Sequence, residues 1–181
     1  DMLEYWLRCK AYRHTYAWNK IYRKEVFNQV RFPSGMNFED SLTLPLILKN
    51  CQRVATTGMG LYYYCENPNG ITRRATAEDL SCLLLAHVRA IINFERKLSR
   101  RKDKKEWEKD MGTYYAHVLN IQFDVYDKSG RFFVKSRNRR KSNIKYRFPI
   151  LPYRNTFKLK LLHLLGIKRL CSLHKTFKRL S

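Results

Sequence analysis

Residues 31–40 spell RFPSGMNFED: a Pro33-Ser34-Gly35 turn, then an amide and two acids where a helix would begin. From Glu39 to about Asn50 the apolar residues Leu42, Leu46, Ile47 and Cys51 recur at helical spacing. Asn37, Glu39 and Asp40 place acceptors and negative charge beside the free N–H groups of the first turn. Pro45 lacks a donor inside this run and is expected to kink the helix or move its start. Upstream, AWNKIYRKEVF at 17–27 reads as a short strand and a helical turn, carried by Trp18, Ile21, Tyr22, Val26 and Phe27. Downstream, RVATT at 53–57 and LYYYCE at 61–66 read as strands joined through Gly58 and Gly60, because β-branched and aromatic residues suit a half-buried sheet surface. ENPNG at 66–70 is a turn cluster, and residues 1–16 show no clear period.

Further along, a helix is predicted from about Thr76 to Ser99, with Thr76 and Asp79 placed as a capping box. Its stripe is Leu80, Leu83, Leu84, His87, Val88, Ile91 and Phe94. A charged linker, RRKDKKE at 100–106, leads to a second helix from Trp107 to Asp127, and the two are expected to pair antiparallel. Residues 128–149 are basic with interleaved aromatics. Residues 155–180 read as a basic amphipathic helix weakened at Gly166, in which Phe157, Leu161, Leu164, Leu165 and Cys171 suit a membrane interface.

Charge separates these regions. Residues 1–127 hold 20 Lys/Arg against 15 Asp/Glu, whereas residues 128–181 hold 17 Lys/Arg and no acid. The net charge of +22 therefore belongs mostly to the tail and points to an anionic partner. Aromatics at 14% and apolar residues at 44% exclude wholesale disorder. Five cysteines without a C-x-x-C pair support neither a zinc site nor a disulfide framework, and favour a reducing cytosol. The longest greasy stretch, Leu161 to Ile167, is too short to span a bilayer. The five histidines are scattered: His87 and His117 lie on presumed helix faces and are read as packing residues, and no metal is assigned to any of the five.

Taken in order, AWNKIYRKEVF, RFPSGMNFED and LYYYCENPNGIT resemble the C-terminal half of a bacterial family 2 glycosyltransferase. The resemblance covers Trp18 to Arg74, about a third of the chain. It implies an α/β fold: residues 1–75 as the acceptor-side part of a GT-A catalytic domain, 76–127 as a helical hairpin, and 128–181 as a membrane-associating tail. It implies inverting transfer from a nucleotide-sugar donor to a saccharide or lipid-linked acceptor, in cell-surface polysaccharide synthesis. A divalent metal, Mg or Mn, is implied for the full-length enzyme. Its ligands are not in this chain, which has no D-x-D. The chain opens at Asp1 in mid-pattern, so it reads as a fragment, inactive without a donor-binding half.

By the family pattern Asp40 is the catalytic base, with Glu39 orienting the loop or binding the acceptor. One carboxylate suffices to take the acceptor hydroxyl proton when a metal stabilises the leaving nucleotide. Position beside a helix N-terminus favours an ionised, well-placed carboxylate over a strongly basic one. Read from the residues alone, both acids equally suit plain helix capping. Trp18, Asn19 and Lys20 match the family's W-N-K segment. Trp18 is a sugar-facing wall or a core residue, and Lys20 a diphosphate contact or a solvated charge. Arg73 and Arg74 are a phosphate clamp or exposed linker charges. The Tyr62-Tyr63-Tyr64 run reads as sheet packing.

The expected partners are the nucleotide-sugar donor, the saccharide acceptor and an anionic membrane surface, with no nucleic acid. The expected location is cytoplasmic, peripheral on the inner membrane face. A basic nucleic-acid- or membrane-binding interaction module without catalysis is the alternative.

Overall fold

A computed structural model describes residues 2–135 and 146–180. Four helices carry the fold: α1 (Glu39–Asn50), α2 (Ala77–Leu98), α3 (Glu108–Ser129) and α4 (Phe157–Leu180). Single turns precede them at Glu4–Arg8, Ala11–Arg13 and Lys24–Phe27, and another, Lys104–Trp107, leads into α3.

The α/β expectation is corrected here: among the described residues there is no strand, and the architecture is helical. The segments 53–57 and 61–66 are irregular and exposed along their whole length. Their composition favours strands, but that preference reports packing on a pleated surface, and a lone pair of strands is marginal in water. With no third strand to pair with, they do not form a sheet. The strand expected within 17–27 is also absent, and only the helical turn at Lys24–Phe27 forms.

The helices follow from local sequence. Thr76 caps α2: its hydroxyl accepts the Asp79 N–H at 3.2 Å, and the Asp79 carboxylate takes the Thr76 N–H at 2.9 Å. α3 ends at Gly130, whose φ of 67° supplies the left-handed turn. Near the start of α2, the Ser81 hydroxyl accepts the Val134 N–H beyond the end of α3. Near its end, Glu95 pairs with Lys104 just before α3. The two helices therefore run antiparallel, as their short connection requires. α1 runs through Pro45 and starts at Glu39 without displacement. Its buried stripe is Leu44, Ile47 and Leu48, while Leu46 is exposed, so the face lies one position off the expected one.

One core cluster draws on residues from Leu3 to Cys171. Its centre is aromatic. Trp6, fully buried, stacks on Phe94 of α2 with ring centroids 5.6 Å apart and meets Tyr114 of α3 edge-on at 6.0 Å. Tyr12 lies 4.5 Å from the same Tyr114. The Arg8 guanidinium covers Trp107 at 4.2 Å. The N-terminal turns are thus driven into the hairpin, although their sequence has no period to announce it. At the other end, Leu159, Leu162, Leu170 and Cys171 of α4 are buried, where α4 packs on α3. Gly166 interrupts α4 with φ 71° and ψ 164°, a conformation open essentially to glycine alone. Cys171 is fully buried, which corrects its expected place on a membrane-facing stripe. Of the basic-aromatic stretch 128–149, residues 136–145 lie outside the described residues.

Replacing the buried indole tests this arrangement. Trp6→Ala is expected to cost about 3–5 kcal/mol of unfolding free energy in denaturant melts. A loss below about 1 kcal/mol would show that the N-terminal turns are not part of the core.

Candidate functional site

Two loops meet at the start of α1. The first is the stretch after the N-terminal turns, and it is fastened to α1 by a buried 2.7 Å hydrogen bond between the Thr15 and Ser41 hydroxyls. The second is the elbow 33–38. It closes on Phe38, which holds a left-handed φ of 60° as the residue preceding α1. A phenylalanine there is strained and must be held by its surroundings. Part of that hold is the Asn37 amide, which donates to Asp79 at the start of α2 over 2.9 Å. Asn37 therefore ties two helix starts together instead of capping its own helix.

Asp40 sits half-buried between these loops. Its carboxylate accepts the Ser41 N–H at 2.7 Å. Its pKa is raised above the usual carboxylate value, first by burial. The neighbouring Glu39 charge pushes the same way, while the N–H groups of Ser41 and Ala17 and the Ser41 hydroxyl partly hold it down. The carboxyl is therefore more basic than its helix-terminal position alone would make it. Glu39 is also half-buried and acts on Asp40 as a like charge.

Lys20 is drawn into the same corner. Its ammonium donates to the carbonyls of His14 at 2.6 Å and Tyr16 at 2.8 Å, and to the Asn19 side-chain oxygen at 2.6 Å. Burial lowers its pKa to about 8, and the Asp40 carboxylate works against that shift. Burial, not the charge pair, dominates both groups. With its three donors directed at the 14–19 loop, Lys20 shapes that loop, and Asn19 serves as one of its acceptors.

Trp18 is not a core residue: it is 42% exposed and belongs to an aromatic stack. Tyr16 lies 5.2 Å from it, Tyr62 4.7 Å and Tyr64 5.0 Å, with Tyr16 and Tyr64 nearly parallel to its plane. Of the tyrosines read as sheet packing, Tyr62 and Tyr64 are thus the outer rings of an exposed wall, while Tyr63 stands apart from it. The sequence did carry a signal for them: in extended chain, alternate residues such as 62 and 64 share a face. Thr15, Ser41 and the Ala17 N–H carried no such signal, because their role depends on how two distant loops meet.

Arg73 and Arg74 stand in their own exposed turn. Arg73 pairs with Glu66 at 3.0 Å, and Arg74 bonds the Asn69 side chain. The structure brings Lys20, with Asn19 bonded to it, near Asp40 and Glu39, leaves Trp18 in the aromatic stack beside that loop, and leaves these two arginines in local contacts. The histidines pack: His87 is buried, its Nδ1 3.0 Å from the Tyr114 hydroxyl, and its ring lies 5.3 Å from His117. Burial holds His87 down to about 3 and His117 down to about 4, so both are neutral near pH 7. Among the described residues no group of three His, Cys, Asp or Glu side chains could hold a metal. Glu39 and Asp40 thus gain no third ligand for a divalent ion among the described residues.

Comparisons with protein-family models, with curated proteins and with solved structures found no match to this chain.

The burial of Asp40 and its placement as a cap make opposite demands on stability. A carboxyl whose folded pKa exceeds its unfolded value opposes folding once both states are ionised, and ceases to do so when both are protonated. Asp40→Asn is therefore expected to raise the melting temperature at pH 7, with the gain shrinking as the pH falls toward 4. A fall in melting temperature at pH 7 would make Asp40 an ordinary capping acid.

Proposed function

We propose that this chain carries the acceptor-binding elbow and the base of a glycosyltransferase, one that moves a sugar from a nucleotide-sugar donor to a saccharide or lipid-linked acceptor. The observation that supports this reading most is the convergence of the W-N-K segment and the Glu39-Asp40 pair. They are separated by about twenty residues in sequence, and the Ala17 N–H helps to hold the Asp40 charge.

In this reading Asp40 accepts the proton of the attacking acceptor hydroxyl as that oxygen displaces the nucleoside diphosphate from the opposite face of the anomeric carbon, which gives inversion. Its raised pKa makes it a stronger base than an ordinary carboxylate. The wall of Tyr16, Trp18, Tyr62 and Tyr64 offers flat apolar faces to a sugar ring close by. Lys20 keeps the 14–19 loop in shape. Arg73 and Arg74 contribute as phosphate contacts only if their turn moves. Donor binding and its Mg or Mn ion fall to residues outside this chain, so the 181 residues alone are expected to release no sugar from a nucleotide-sugar. The product would serve cell-surface polysaccharide synthesis at the cytoplasmic face of the membrane, where the basic tail docks. No helix among the described residues is long and apolar enough to cross a membrane.

In the complete transferase, Asp40→Asn is expected to lower kcat by about 10²–10⁴-fold while nucleotide-sugar binding is retained. Trp18→Ala is expected to raise the acceptor KM with a smaller effect on kcat. Turnover by Asp40→Asn at the parent rate would end the proposal.

A further inference from the structure

α4 is apolar on two sides. One side is used: Leu159, Leu162, Leu170 and Cys171 are buried, and the helix packs on α3. Polar contacts lock that side in place. The Tyr126 hydroxyl lies 3.2 Å from that of Ser172, Lys158 donates to Asn120 at 2.8 Å, and Lys178 pairs with Asp127 at 3.1 Å.

The other side is not covered. Before Gly166, Phe157 is 74% and Leu164 77% exposed, whereas Leu161 between them is half-buried and packs against the core. After Gly166, Leu173 and Leu180 are exposed, and Phe177, 69% exposed, stands at the edge of the α3 contact, where it lines a hollow with Asn120, Phe123 and Asp124. Phe157 and Leu164 stand at i and i+7, and Leu173, Phe177 and Leu180 at i, i+4 and i+7, so each set forms a ridge along one side of its own half of the helix. Leu159 and Leu162 stand two residues from Phe157 and Leu164, about half a turn away, so the first ridge faces away from α3. Exposed Lys160 and Arg169 stand four residues before Leu164 and Leu173, on the ridge side, and Lys168 and Arg179 are exposed beside it.

We infer that this outer ridge of α4 is the surface by which the protein lies on an anionic lipid bilayer, with its apolar side chains in the headgroup boundary and its cations among lipid phosphates. Charge decides the occupant. No acid follows Asp127 in the sequence, so a second copy of the ridge would set Lys160 and Arg169 against their own kind with nothing to answer them. A nucleic acid would meet the cations but gain nothing from five exposed apolar side chains. A bilayer with anionic headgroups matches both. The inner side stays clamped to α3, so docking needs no unfolding.

This deepens the membrane half of the function proposed above, rests on that half alone, and is independent of the transfer chemistry. A chain that binds vesicles without transferring sugar keeps the surface and removes the enzyme; transfer without vesicle binding does the reverse.

The test is co-sedimentation of the 181-residue chain with phosphatidylcholine vesicles, with and without phosphatidylglycerol. Strong binding is expected only with the anionic lipid. The double variant Phe157→Ser, Leu164→Ser keeps every charge and is expected to bind at least tenfold more weakly with an unchanged melting curve. If it melts differently, Leu173→Ser with Leu180→Ser takes its place. Four results would each overturn the inference: equal affinity of the serine variants, equal binding to neutral vesicles, tighter binding to RNA or duplex DNA than to anionic vesicles at the same salt, or a ridge-dependent dimer in light scattering.

Discussion

The buried hydroxyl pair of Thr15 and Ser41 is the joint on which the proposed site depends. Behind it, Trp6 and Tyr12 are held between α2 and α3, so the chain leaves the core on a fixed course. Ahead of it, the same chain lays the Ala17 N–H against Asp40 and turns the Trp18 ring outward. A buried hydroxyl must find a partner, and here each satisfies the other. Register is thereby passed from a well-packed helical hairpin to a loop with little apolar burial of its own.

That division explains what could be read in the residues. α1, α2 and α4 were visible through apolar spacing, with the Thr76–Asp79 box and the break at Gly166, and α3 as the helix that follows the charged linker. Those signals are local, so a single sequence displays them. The sheet expected from RVATT and LYYYCE failed because strand formation depends on a neighbour, and none of the described residues provides one. The N-terminal turns were unreadable for a related reason: Trp6 and Tyr12 are core residues through rings that arrive from Phe94 and Tyr114, far along the chain.

The candidate residues could be named from the sequence, but not the contacts they make. Trp18 belongs to a stack with Tyr62 and Tyr64 that its own segment does not disclose. Lys20, a candidate phosphate contact, instead spends its donors on the carbonyls that shape its loop. α4 shows the same limit at larger scale. Composition indicated an amphipathic helix, but only packing separates the apolar side that α3 takes from the side left to the surroundings.

The most direct measurement of the joint between loop and elbow is an NMR pH titration that follows the Ala17 amide alongside the Asp40 carboxyl carbon. If the N-terminal segment delivers its N–H to this carboxylate, both signals move together at one midpoint above the ordinary carboxylate value of 3.8. An Ala17 amide that ignores the titration, or an Asp40 midpoint at or below that value, would contradict the account.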